Sequence, residues 1–556
     1  ALVAQNGVGT EWLWAAAVHA GLQLAFAAAF VGIEPHLSRG DEDAHPDWIA
    51  VMVLAALTAL AMIVLAATPF TFAGWAPFAL LGIGVLAATA WRSGPAAGAI
   101  VLAGVLVEAV ALLWPGLAET QTQSRLLAEI SGALPEPATA GAYLFFAALV
   151  ALAVAGVATL RLWQGQALPL STAALYALGA IATPLVALVI AYLRVDQFQT
   201  SFRFAGAAVV LAGLGAVATE WFQRAEGDPP AAAPRLATGA YAAGTIATLA
   251  FALVAVLERG YLTVALALAA LGAAHVASRR AIPMLRYGVA GLGIVVLGRI
   301  AWDPRIMGAD VGATPILNWL LVGYGVPALA FGLAAWRLRP TGEDLAVRLC
   351  DGLAVLFVAL LCFFEIRHLV SGGDALAPTT GHLEQGLFAF ASLGLSLVLS
   401  RLDLARANPV FHWASLAFGV VAALIALVGL GVADNPLFSG EPVSGRPLLG
   451  SLLLAYLLPG LMALAVARGA RGARPAWFTT GVGLLGVFLI FLYVTLSVRQ
   501  GFQGASISFL NATGDAEHWM HSAAWLGLGV ALLSYGLWRG APEARLASGI
   551  LVALAA

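Results

Sequence analysis

Arg367 and Glu384, and likewise Arg499 and Glu517, each bracket a short polar loop between two long apolar runs. A guanidinium presents a planar fork of donors that matches a carboxylate or a phosphate bidentately. Two chemistries follow. Each Arg–Glu pair is either a clasp that pins its loop, the acid also complementing a helix N-terminus, or an anionic-substrate site in which Arg367 and Arg499 offer their forks. Glu108 is a different case: it lies six residues inside Trp114, about 9 Å of helical rise, in an apolar run with no basic residue at helical spacing. A carboxyl at that depth needs a partner from another helix, a proton, or water, which makes it a candidate proton or substrate relay.

His518 and His521 lie one helical turn apart beside Glu517, a spacing that can ligate a divalent metal. In the internal repeat set out below, Gln385 and Phe388 stand opposite them, so the pair is a weak metal candidate and none is expected. His19, His275 and His412 sit in or at the ends of apolar runs and read as hydrogen-bonded packing residues. Cys350 and Cys362, twelve apart in one apolar run, cannot reach disulfide geometry. The sequence carries no Walker loop, nucleophile elbow, HExxH, CxxC or CxxCH motif. No cofactor is expected, and the reading leans away from an enzyme.

The elements that position these residues follow from composition. Of 556 residues, 61% are hydrophobic and only 10% charged, which no water-facing surface of that size carries. The expected fold is all-α, a polytopic transmembrane helical bundle, since the apolar runs lack period-two alternation and reach the ~20 residues a membrane helix needs. Seventeen runs qualify, from Trp12–Ile33 to Trp519–Trp538, and an eighteenth begins near Leu546. All 27 basic residues are Arg, and the net charge of −2 implies no nucleic-acid partner. Most arginines fall in loops after odd-numbered spans, among them Arg280, Arg339 and Arg471. The positive-inside rule then puts those loops in the cytoplasm and residue 1 on the periplasmic side of a bacterial inner membrane. Two further charge pairs read as local: Arg348 with Asp351, and Arg299 with Asp303. Residues Glu119 to Leu134 suggest an amphipathic helix on the outer surface.

An internal repeat organises the second half. A shift of 132 lays Pro304 on Pro436, Pro315 on Pro447, Tyr324 on Tyr456, Pro327 on Pro459 and Arg367 on Arg499; a shift of 133 then lays Glu384 on Glu517 and Pro409 on Pro542. Three regions are expected: residues 1–300 with about ten spans, and two parallel four-helix repeats at 301–433 and 434–556. The second repeat ends within its last helix, so the chain is expected to continue. Tyr324, Pro327, Tyr456 and Pro459 are the gating or kink candidates, because a proline inside a span frees a carbonyl that can line a cavity. Pro184 interrupts an earlier span in the same way.

The runs TPILNWLLVGYGVPALAF (Thr314 to Phe331), EIRHLVSGGD (Glu365 to Asp374) with LEQGLF (Leu383 to Phe388), and YLTVALALAALG (Tyr261 to Gly272) resemble the bacterial multi-pass membrane proteins grouped as domain of unknown function 2339. Echoes in the second copy are NPLFSG, LLLAYLLPGL and LSVRQGFQG. The resemblance covers the larger, C-terminal part of the chain and implies an inner-membrane protein of more than twenty helices, with segments beyond both ends of this chain; Arg367 and Arg499 belong to its recurring pattern. It implies no catalytic residue. The functional expectation is transport or handling of a cell-envelope or lipid-linked substrate through an outward-facing cavity, with membrane lipids as partners. The alternative is a scaffold or assembly subunit that docks envelope proteins.

Overall fold

The structure, a computed structural model, describes residues 97–113, 137–165, 168–197, 199–226, 231–257, 259–280, 282–302, 311–312, 314–375, 381–540 and 542–555, with isolated positions before residue 97. The first three expected spans, His19, the segment Glu119 to Leu134 and Asp303 fall wholly or almost wholly outside these residues. Twelve described helices are long and apolar enough to cross a membrane. Their outward faces carry large apolar side chains, such as Phe145, Val210, Leu329 and Leu537, as expected where the solvent is lipid rather than water.

The chain divides into two compact units, 1–296 and 297–556. In the first, α1 (Ala97–Leu113), α2 (Pro137–Gln164), α3 (Leu170–Asp196), α4 (Phe202–Ala225), α5 (Ala232–Val256) and α6 (Arg259–Arg279) follow one another in chain order, and α7 (Met284–Trp302) crosses the division. α3 is the hub, packed against α1, α2 and α5. Small residues let it approach closely: a Cβ on Gly104 of α1 would stand 2.3 Å from the Thr183 hydroxyl of α3. Ala-rich helix faces, with Tyr143, Tyr176 and Phe222 as the large fillers, form the core.

The second unit contains α8 (Val326–Leu338), α9 (Leu345–Val370), α10 (His382–Ala405), α11 (Pro409–Leu424), the short α12 (Pro436–Ser439), α13 (Leu458–Gly469), α14 (Ala476–Gln503), α15 (Asp515–Arg539) and α16 (Pro542–Ala555). A two-residue hairpin, β1 (Gly445–Arg446) with β2 (Leu449–Gly450), precedes α13. α10 lies at its centre, touching α9, α11 and α13. Widened π turns precede two helices, Leu321–Gly325 before α8 and Leu453–Leu457 before α13. Pro327 and Pro459 explain them. A proline lacks the N–H that would bond the carbonyl four residues back, and its ring presses on that carbonyl, here Gly323 and Ala455; the π turn makes room. α11 also runs on as a π segment, Ile425–Ala433.

Two expected span boundaries differ from the structure for one reason. Ile316 and Leu448, with which the apolar runs Ile316–Trp336 and Leu448–Ala467 open in the sequence, instead occupy the left-handed region, with φ of 69° and 68°. Each follows a proline and sits in a turn outside its helix. A side chain in that region costs about 1–2 kcal/mol, and both side chains are exposed. Replacing either residue with glycine is therefore expected to raise stability by about 1 kcal/mol, read as a higher unfolding midpoint in nanodiscs; a lowered midpoint would mean the side chain contributes more than the strain costs.

Candidate functional site

The charged candidates of the second unit gather at two ends. α9 and α14 run about a turn beyond the apolar spans, so Arg367 and Arg499 lie on helices rather than in loops. The N-termini of α10 and α15 supply Glu384 and Glu517. Both pairs form: Arg367 Nε lies 3.3 Å from Glu384 Oε1, and Arg499 Nη1 lies 2.9 Å from Glu517 Oε1.

Around Arg499 the clasp is complete. Nε donates to the Ile507 carbonyl at 2.9 Å, Nη1 to Thr513 Oγ1 at 3.2 Å as well as to Glu517, and Nη2 to the carbonyls of Ser508 at 2.6 Å and Asn511 at 3.0 Å. All five guanidinium N–H groups are thereby used. Glu517 also accepts from Gln503 Nε2, and His521 Nε2 stands 3.8 Å away. This arginine is the post around which the loop from residue 504 to 514 is wound. His518 is exposed, and among the described residues no three His, Cys, Asp or Glu side chains converge on a metal position.

A second polar knot on the same end was not legible in the sequence. His382, 2% exposed, bonds through Nε2 to Ser451 Oγ at 2.8 Å, while its main-chain N–H donates to Glu441 Oε2 at 2.9 Å. It fastens the start of α10 to the hairpin loop. Glu365 accepts from the Ile316 N–H and from Asn318 Nδ2, at 3.2 and 3.1 Å, fastening the loop before α8. The residues after the two arginines act alike: His368 bonds the Gly312 carbonyl at 2.8 Å, and Gln500 donates to the Gly445 carbonyl at 3.1 Å.

The four gating candidates are all buried. Tyr324 stacks on Phe364 at 5.1 Å, and Tyr456 donates its hydroxyl to the Leu430 carbonyl at 3.1 Å, linking two π segments. Where α10 crosses the second π turn, a Cβ on Gly386 would stand 2.2 Å from Ala455 Cα and 2.5 Å from its carbonyl oxygen. That is backbone on backbone.

At the opposite end, rich in arginine, one expected pair is corrected. Asp351 pairs with Arg339 at 2.5 Å and accepts from Asn408 at 2.7 Å, not with Arg348. Asp351 is buried and Arg348 exposed, and the buried carboxylate is taken up by Arg339 and Asn408 from outside α9. Asp403 accepts from Arg474 at 2.8 Å and approaches His412 Nδ1 at 3.2 Å, so His412 is hydrogen-bonded as expected, whereas His275 is exposed. In the first unit Glu108 is half-buried on α1, and among the described residues it has no hydrogen-bond or ion-pair partner. One turn further along α1, the Leu112 carbonyl accepts from Arg194 at 3.1 Å. Arg194 is fully buried; it lies one residue past the apolar run Ser171 to Leu193, so hydropathy alone passes over it.

Two neighbouring cavities, of about 450 and 240 Å³, open between α2, α3 and α4, the smaller lined by α5 as well. They share Leu152, Pro184, Leu211 and Leu214. A family model described as predicted membrane protein (DUF2339) matches residues 132–556. The chain belongs to this family. It is a multi-pass membrane protein, and the match takes in all of the second unit and more than half of the first. No curated protein and no solved structure matches the chain.

Proposed function

We propose that this protein handles a lipid-linked substrate of the cell envelope, and that the apolar chain of that substrate lies in the groove between α2, α3 and α4. The groove carries the reading. On α3 it runs from Ala180 to Val195, and on α4 from Arg203 to Ala218, about 22 Å of helix in each case. That length exceeds one leaflet of a ~30 Å hydrocarbon core. Pro184 lines its middle and leaves the Ala180 carbonyl without its helical N–H, and Ala180 lines the smaller cavity. That end is polar: Thr159 and Tyr241 share a hydroxyl–hydroxyl bond there, and Thr245 lies beside them.

The arginine skew supports a bacterial inner membrane with the arginine-rich loops in the cytoplasm, which opens the wide end of the groove on the periplasmic side. Glu108 is the proposed relay of the same unit. The two-copy organisation is supported by π turns, left-handed Ile316 and Leu448, and Arg–Glu pairs that recur at the same shift of 132 or 133. Saturation of Arg499 favours the scaffold alternative for the second unit, since a guanidinium with five internal acceptors has no donor left for a substrate.

Leu211→Trp, which fills the groove at a residue that lines both cavities, tests the function. Native mass spectrometry of the purified protein is expected to find a retained lipid in the parent and at least a tenfold lower occupancy in the variant. Equal occupancy with an unchanged unfolding midpoint would refute the assignment.

A further inference from the structure

A third cavity, about 630 Å³, opens in the second unit between α13, α14, α15 and α16 at the arginine-rich end. Its mouth is lined by Arg468, Arg471, Thr479, Thr480 and Tyr535, and its inner walls by Leu464, Leu484, Val487, Ile490, Leu528 and Leu532. Along α14 it reaches from Thr479 to Ile490, or about 16 Å of helical rise. Half of a ~30 Å hydrocarbon core is ~15 Å, so the cavity is as deep as one leaflet.

The state of its arginines sets it apart. At the same end, Arg339 pairs with Asp351, Arg406 with Glu343, and Arg474 with Asp403. Arg468 and Arg471 are exposed, and among the described residues neither meets a carboxylate within ion-pair distance. Among the described residues no acid lines the cavity, and the other polar groups at its mouth are hydroxyls. One face thus offers two guanidiniums and three hydroxyls over an apolar slot.

We propose that this cavity holds one anionic phospholipid from the adjoining leaflet, its phosphate on Arg468 and Arg471 and an acyl chain along Leu484, Val487 and Leu528. Basic pockets between membrane helices select phosphate headgroups through charge, and arginine adds bidentate geometry. A zwitterionic lipid fills the slot equally well but leaves the guanidiniums less compensated. The position is particular to this end of the chain: at the repeat shift of 132, Trp336 stands in place of Arg468 and Val347 in place of Thr479. This site lies outside the first-unit groove, and neither reading depends on the other.

The test is a lipid titration of the full chain in detergent, read by native mass spectrometry, with phosphatidylglycerol against phosphatidylcholine. Phosphatidylglycerol is expected to bind one per chain and more tightly. At about 1 kcal/mol per arginine near a membrane surface, the Arg468→Ala/Arg471→Ala variant is expected to lose about thirtyfold in phosphatidylglycerol affinity. Leu484→Trp, which narrows the slot, is expected to weaken both lipids. Arg337→Ala, at the same end but stacked on Trp336 at 5.0 Å, is expected to leave binding unchanged, and unfolding midpoints verify that each variant is folded. Equal affinity for the two lipids, or indifference to the double variant, would overturn the proposal. Displacement of phosphatidylglycerol by millimolar inorganic phosphate, or full binding by Leu484→Trp, would overturn the lipid assignment in favour of a free-anion site.

Discussion

Arg499→Ala is expected to be the most destabilising single exchange at either end of the second unit, costing about 3–5 kcal/mol. The Arg499 and Glu517 side chains are 8% and 3% exposed, so removing the guanidinium strands a buried carboxylate. It also orphans the carbonyls of Ile507, Ser508 and Asn511, which accept from the same group. An unmet buried acceptor costs more than the bond itself contributes. Unfolding midpoints in nanodiscs should fall by several degrees, and exchange of backbone amides in the loop from residue 504 to 514 should accelerate. The double variant Arg499→Met/Glu517→Met should recover part of the loss, because paired charges replaced together leave no uncompensated ion. Arg367→Ala should cost less, since its side chain is 17% exposed and water can reach the carboxylate left behind. A folded Arg499→Ala protein with an unchanged midpoint and a lost cellular phenotype would make the pair a site rather than a clasp.

The second large effect is expected from a single methyl group. Gly386→Ala places a Cβ 2.2 Å from the Ala455 Cα, and the obstacle is main chain on a π turn, which no rotamer change can move aside. α10 and the second π turn must separate, at a cost near the upper end of overpacking, about 3 kcal/mol. The same separation stretches the hydrogen bond from Tyr456 to the Leu430 carbonyl. Gly394, two turns along the same helix, has nothing within 4 Å of its Cβ position. Gly394→Ala is therefore expected to stabilise by about 0.5–1 kcal/mol through helix propensity. Opposite signs from one substitution on one helix, read by unfolding midpoint, separate close packing from propensity; two losses of equal size would rule out the crossing as the cause.

The same contrast explains what the sequence can and cannot reveal. Arg367 with Glu384 and Arg499 with Glu517 are legible because a short loop between antiparallel helices leaves few other places for either charge. Spacing alone misassigns Asp351, because its true partners, Arg339 and Asn408, come from another helix and from a distant loop. Arg194, Asp403 with Arg474, and His382 with Ser451 are separated by helices that hydropathy treats as interchangeable. Their one sequence signal is a polar residue at the edge of an apolar run.

By itself the sequence determined that the chain is a multi-pass helical membrane protein, which end of each helix carries arginine, and the family to which it belongs. These properties are local or additive: bilayer thickness sets span length, and each residue's transfer cost counts without reference to its neighbours. Only the tertiary structure decided that Ile316 and Leu448 stand outside their helices, that Arg499 has no donor left over, that Arg468 and Arg471 face a leaflet-deep slot, and that Pro184 lines a groove. Those outcomes depend on which helix faces lie against each other. In lipid that choice rests on the fit of small residues and buried polar partners, and no hydropathy pattern encodes it.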